Sequence, residues 1–209
     1  MDFYQVVNSR RTVRDFLAKE IEPEIIKRII DAGLKAPSNN HLRQWEFILL
    51  NDRAARAKLI DQMNESYTEE AATEMVNKRG YTDEYQREMY IDANQKQYSM
   101  LVNAGCLIIP CMRQKTPLLE PSKLSSLNGL AAMWCCIENI LLAAASEGIY
   151  GVTRIPCLDG ETNHIKNTLG ISDDYEVPCY IALGYPDENA KKISQHSINA
   201  EERLHFNKW

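Results

Sequence analysis

A chain of 209 residues with 44% hydrophobic and 25% charged residues is long enough for a sizeable core, folded as one domain or as two small ones. Its formal charge of −5 argues against a general nucleic-acid binder, which needs a basic face. Met1–Asn8 runs straight into arginines, and Leu127–Ser146 is interrupted by Asn128, Glu138 and Asn139. Neither a signal peptide nor a membrane span is therefore expected, and the chain reads as cytoplasmic.

Asp2–Asn8 is predicted to form a short helix capped by Asp2, with Phe3, Val6 and Val7 facing inward. Asn8–Phe16, reading N-S-R-R-T-V-R-D-F, follows as an extended connection. Alternate residues of an extended segment share a face, which groups Arg10, Thr12 and Arg14 and turns Arg11 and Asp15 away. Two guanidinium forks around a hydroxyl suit a phosphate; a solvated basic turn is the competing reading. Glu22-Pro23-Glu24 opens a helix with an apolar stripe of Ile25, Ile26, Ile29, Ile30 and Leu34, ended by Ala36-Pro37. The polar loop Ser38–Gln44 then leads into an apolar strand from Trp45 to Leu50; asparagine-rich loops of this kind are often only turns.

Ala54–Met63 reads as a helix, Ser66-x-x-Glu69 as a capping box for another running to about Lys78, and Asp83–Met100 as a third beyond the break at Gly80. The stretch from about 64 to 100 carries Tyr67, Tyr81, Tyr85, Tyr90 and Tyr98 but few strong apolar stripes. It is predicted to be a surface excursion, either a partly exposed helical hairpin or a lid over a substrate pocket. Ala104–Met112 is a continuous apolar strand, followed by a loop with Pro117 and Pro121. Asn128–Glu147 is the longest helix, apolar nearly all round and so predicted to be buried, with Gly148 past its end. Tyr150–Pro156 follows, then a small helix over Gly160–Gly170 and a strand over Val177–Gly184 that runs into Gly184-Tyr185-Pro186. The six cysteines (Cys106, Cys111, Cys135, Cys136, Cys157, Cys179) form no C-x-x-C pair, and the histidines are His41, His164, His196 and His205. No zinc site is expected, and most of the cysteines read as buried thiols. No G-x-G-x-x-G, G-x-x-x-x-G-K or G-x-S-x-G motif is present, which removes the Rossmann, nucleoside-triphosphate and hydrolase readings.

The arginine segment, the segment A-P-S-N-N-H-L-R-Q-W-E-F at Ala36–Phe47 and the tail A-E-E-R-L-H-F-N-K-W at Ala200–Trp209 resemble the FMN-dependent nitroreductase family in content and spacing. The resemblance implies an α+β fold over 1–209 as a single domain: a three-layer α/β/α sandwich with a mixed, largely antiparallel sheet and the helical lid at about 64–100. It implies a homodimer with the long helix buried at its interface, the C-terminal segment crossing to the partner, and FMN sites between the subunits. The activity implied is oxidation of NAD(P)H and ping-pong transfer of hydride to an electron-poor aromatic acceptor such as a nitroaromatic or quinone. A reductive dehalogenase or other specialised flavin reductase, and a non-catalytic flavin-binding protein, are the alternatives.

Because the flavin carries the chemistry, the resemblance calls for no catalytic side chain. Carried onto the matching positions, Arg10, Arg11, Thr12 and Arg14 bind the cofactor, with Arg14 stabilising negative charge on the reduced ring. Pro37, Ser38, Asn39 and Asn40 lie along the ring and ribityl chain, Gln97 approaches from the lid, and Thr153, Arg154, Ile155 and Pro156 pass over the ring. His41 and Arg43, which depart from the family pattern, are substrate candidates together with Tyr81, Tyr85 and Tyr90. Gln195 and Ser197 stand where relatives usually place a basic phosphate-binding pair, with Lys191 and Lys192 nearby but out of register.

Overall fold

The computed structural model describes residues 2–61, 67–121, 123–191 and 196–209. Its helices are α1 (Phe3–Ser9), α2 (Pro23–Gly33), α3 (Arg53–Leu59), α4 (Glu69–Lys78), α5 (Glu84–Gln95), α6 (Ser99–Val102), α7 (Asn128–Ser146) and α8 (Glu161–Leu169). The strands are β1 (Trp45–Leu50), β2 (Cys106–Arg113), β3 (Tyr150–Arg154), β4 (Tyr175–Glu176) and β5 (Tyr180–Gly184).

The uninterrupted apolar run of β2 makes it the central strand, because only a strand covered on both faces has no polar side to show. It pairs antiparallel with β1 on one side and β5 on the other, and β3 continues beyond β5, giving the order β1-β2-β5-β3. The two-residue β4 adds to the Met112–Arg113 end of β2, and a parallel bridge joins Thr12 to Gly151, so the sheet is mixed but largely antiparallel. Alternation along β2 puts Cys106, Ile108 and Met112 into one core with α2 and α7. Leu107, Ile109 and Cys111 enter a second core with residues of α3, α6 and α8. Those two cores on either side of one sheet are the three layers of the α/β/α sandwich.

Local signals place most helix ends. Asp2 caps α1 in a capping box with Gln5, Pro23 occupies the first turn of α2, and Asp83 caps α5. Gly160 and Gly170 bracket α8 at φ +74 and +67, a region where a β-carbon is strained. The fold also depends on close backbone approach. A β-carbon at Gly151 would lie 2.3 Å from the Ala182 carbonyl oxygen across the β3–β5 pairing. Gly151→Ala is accordingly expected to lower stability by about 1–3 kcal/mol, read as a lower urea midpoint at unchanged slope.

Several expectations are corrected. In α1 only Val6 is buried, while Phe3 and Val7 are 66% and 41% exposed, because among the described residues the helix packs mainly on α7. The cap of α4 is Thr68, whose Oγ1 accepts from the Ala71 amide; Ser66, the expected cap, and Met63 lie outside the described residues. The helix expected over Asp83–Met100 divides into α5 and α6. Met100, Leu101 and Val102 are fully buried, so the chain leaves the α5 axis to enter the core, and the expected surface excursion ends inside the molecule. Val177–Cys179 separates two strands rather than extending one, since Pro178 has no N–H for a ladder.

By length and composition alone Leu124–Ser146 is apolar enough to cross a membrane despite its polar interruptions, as the core helix of a globular domain also can be. One side of α7 instead supplies Met133, Cys136, Ile137, Ile140 and Ala144 to the core, close against α2, where a β-carbon at Gly33 would lie 2.6 Å from Ile140. Its other side, with Ala131, Cys135 and Glu138, is exposed, so the helix is not buried all round. Cys106, Cys111, Cys136 and Cys179 are buried, and burial pushes their thiols up, to about 11 for Cys111 and about 12 for the other three, so they stay protonated and unreactive.

Candidate functional site

The arginine segment runs along the edge of the sheet. Val13 donates its N–H to the Gly151 carbonyl at 3.2 Å, Leu17 donates to Tyr185 at 2.9 Å, and Phe16 bridges Pro186. Val13 and Phe16 both enter the core, a spacing of three that breaks strict alternation. Arg10, Thr12 and Arg14 therefore do not share one face, contrary to the period-two expectation. Arg10, Arg11 and Thr12 line a cavity of about 180 Å³ with Thr153 of β3 and Trp134 and Glu138 of α7. Arg14 lines another of about 390 Å³ with Asp15, Lys96, Ser99 and Lys191.

Charge is distributed accordingly. Arg10 lies 3.4 Å from Glu138, and Arg11 curls back to donate to the Asn8 and Arg10 carbonyls at 2.8 and 2.7 Å. Arg14 donates through Nη1 to Asp92 at 3.3 Å, while Lys96 Nζ lies 2.6 Å from both Asp92 and Asp15. Burial draws the Arg14 pKa down, opposed by Asp92 and Asp15; an arginine nonetheless stays cationic at any working pH. Burial also works against the Lys96 ammonium, but hydrogen bonds to Asp15 and Asp92 outweigh it and hold its pKa above the usual value. Arg14 Nε is buried and has no hydrogen-bond partner among the described residues. Lys96 and Asp92 carry no signal in the sequence beyond an i,i+4 pair on α5; only the fold brings them to Arg14. Lys191, read as out of register, reaches the same cavity and pairs with Glu88 at 3.0 Å; Lys192 and Gln195 lie outside the described residues, and Ser197 is exposed.

Beyond β3, the Arg154 side chain is committed to a buried cluster. Its guanidinium forks onto both oxygens of Glu161, and its Nε donates to Gln97 Oε1 at 2.9 Å. Glu161, 2% exposed at the start of α8, also accepts from the Cys157 and Leu158 amides at 2.8 and 3.0 Å and from the Tyr180 hydroxyl at 2.8 Å. Burial alone would raise the Glu161 pKa, but Arg154, the two amides and Tyr180 together bring it below the ordinary value. Gln97 is engaged twice, since its amide also donates to the Ala93 carbonyl at 2.8 Å. The Arg154 and Gln97 side chains thus hold the segment after β3 in place. Ile155 is exposed and Pro156 half-buried.

Ser38, Asn39, Asn40 and Arg43 line a third cavity, of about 390 Å³, with Trp45, Met112, Arg113, Lys115, Lys123 and Gly129 among its walls. Within this loop Asn40, His41 and Arg43 have φ of 52, 54 and 41, values that non-glycine residues seldom adopt and that concentrate at functional loops. Arg43 donates its amide to Ser38 Oγ at 3.2 Å, closing the turn. Pro37 and His41 are exposed and do not line this cavity. Tyr81 and Tyr90 pack on each other at 4.8 Å between ring centres, and Tyr85 meets His196 edge-on at 4.7 Å; none of the three lines these cavities.

Residues 7–185 match the model of the Nitroreductase family. The chain belongs to that family. This nitroreductase-family protein is 28% identical to the 4-nitrobenzoate reductase of Pseudomonas putida, over 90% of its own length and 87% of the relative's. It is 26% identical to the iodotyrosine deiodinase of Hydra vulgaris, over 91% and 67% of the two chains. Its fold superposes on the solved structure of an FMN-dependent nitroreductase from Clostridium difficile with a TM-score of 0.70, covering 99% of this chain and 100% of that one at 21% identity.

FMN is the cofactor of the family, and the residues present fit it. A buried N–H without an acceptor costs about 1–3 kcal/mol, so Arg14 Nε suits a ligand oxygen in the cavity beside it. Arg10, Arg11 and Thr12 supply guanidinium and hydroxyl donors of the kind a phosphate takes.

Proposed function

We propose that this nitroreductase-family oxidoreductase works as a cytoplasmic homodimer, using FMN and NAD(P)H to reduce an electron-poor aromatic acceptor such as a nitroaromatic or quinone by a ping-pong mechanism. When bound, FMN accepts hydride from the nicotinamide and passes reducing equivalents to the acceptor. The observation that carries the reading is Arg14, half-buried, cationic and with a buried Nε that has no partner among the described residues, beside Lys96. Two cations fixed in a partly buried site stabilise negative charge there without reorganising, the arrangement by which a protein eases reduction of a bound group. Asp92 and Asp15 hold both cations in position. Glu161 keeps Arg154 and the residues up to Leu158 in one conformation, which fixes the backbone that is to lie over the ring.

The dimer is supported by two features of the single chain. The arginine segment and the Ser38–Arg43 loop line separate cavities, an arrangement in keeping with a site completed by a second subunit. The exposed side of α7 adjoins an uncovered α1, and the tail ends in Phe206 and a 100% exposed Trp209, surfaces that a partner would cover. The described part of the helical excursion, 67–100, is assigned the part of the lid, a reading supported by Lys96 and Ser99, which line the cavity beside Arg14.

The purified protein is expected to show a flavin spectrum that bleaches on adding NADH or NADPH without oxygen, and to elute as a dimer. A flavin that binds but is not reduced by either nucleotide would leave a binding protein. A colourless protein that takes up no FMN would refute the reading altogether. A second reading, reductive dehalogenation on the same scaffold, draws on the similarity to the Hydra deiodinase. Turnover of matched halogenated and nitrated aromatics decides between the two.

A further inference from the structure

The cavity beside the Ser38–Gln44 loop has a charge that the rest of the molecule does not. The whole chain carries 24 Lys and Arg against 29 Asp and Glu, yet this cavity is lined by Arg43, Arg113, Lys115 and Lys123 and by no carboxylate. Arg113 is partly neutralised by Asp174 at 2.6 Å. The other three form no ion pair among the described residues. Its floor is apolar, since Trp45, Met112 and Ala132 belong to the core and come to the cavity there, while Asn39, Gln44, Thr116 and Asn128 are among the polar residues of the remaining wall. Gly129 keeps the wall open, since a β-carbon there would lie 2.9 Å from Gln114 Oε1, and Gln114 is tied to the Ser126 carbonyl at 2.9 Å. Cations around an apolar, partly aromatic floor match a flat ring that carries an anionic group.

We infer that this cavity binds the aromatic acceptor through a carboxylate, so that the enzyme prefers aromatic carboxylates over neutral aromatics of the same shape. The inference rests on the proposed function, which puts the Ser38–Arg43 loop against the flavin of the other subunit. The loop held at positive φ at Asn40, His41 and Arg43 keeps this side of the site formed before the ligand arrives.

The test uses FMN-loaded protein, its flavin content read from the visible spectrum, titrated calorimetrically with benzoate and with benzamide. Benzoate is expected to bind roughly tenfold more tightly, with the preference shrinking as salt is raised. The double change Lys115→Glu, Lys123→Glu should abolish the preference, and Lys115→Arg, Lys123→Arg should retain it. Equal affinities in flavin-loaded wild-type protein would overturn the inference while leaving the flavin reading intact. Protein that takes up no FMN yet still prefers benzoate would support the cavity and remove the flavin reading. Charge reversal that lowers selectivity for NADPH over NADH but leaves the benzoate preference would assign the cations to the 2′-phosphate of the reductant and overturn the inference.

Discussion

Arg14→Ala is expected to slow reduction of bound FMN by NAD(P)H by about a hundredfold, the low end of what loss of one preorganised electrostatic donor costs. The low end applies because Lys96 remains in the same cavity and supplies a second positive charge. The flavin potential should fall as well, since negative charge on the reduced ring loses its partner. Lys96 lies 2.6 Å from Asp92, so that carboxylate stays paired and the fold should survive the change. Arg14→Lys restores a charge without the Nε donor and should recover part of the rate, because an ammonium is not a guanidinium fork. Anaerobic stopped-flow reduction and a redox titration at matched FMN occupancy check this. An unchanged rate and potential would remove Arg14 from the role.

Glu161→Ala is expected to destabilise the protein by about 3–5 kcal/mol, because it leaves the Arg154 guanidinium buried without its counter-charge. It also orphans the Cys157 and Leu158 amides and the Tyr180 hydroxyl. In a chain of this length that corresponds to a fall in Tm of roughly 10 °C. Glu161 carries a pH dependence of known sign. Its folded pKa lies below the unfolded value of about 4.3, so its contribution is fully present above that value and is lost as pH falls through the folded pKa. Glu161→Gln should be less stable than wild type at pH 7, and the gap should close as acid protonates the wild-type carboxylate. Thermal melts of both proteins between pH 3 and pH 7 measure this. A gap that holds constant across that range would show that the Glu161 charge contributes nothing.

Much of the fold is written in local signals. Pro23, Asp83 and Gly148 act through their own turns, and the apolar run of β2 declares a strand covered on both faces wherever the rest of the chain goes. The two motif segments were likewise legible, since each is a short run whose residue types carry the resemblance to the family. Legibility stopped where local rules compete with the core. The division of α5 from α6 follows from Met100–Val102 entering the interior, and the arginine segment loses its alternation because Val13 and Phe16 both do.

The sequence by itself determined the element types, most helix ends, the positions of the cationic segment and the asparagine-rich loop, and hence membership of the nitroreductase family. Only the tertiary structure decided which cavity each cation serves. Arg14 and Asp92 are 78 residues apart, Asp15 and Lys96 are 81 apart, and Arg154 and Gln97 are 57 apart. The Met112–Thr116 wall opposite Arg43 is likewise brought to its loop by the β1–β2 pairing. Periodicity and caps report contacts within a turn or a strand, whereas an ion pair across the fold depends on strand order and helix packing.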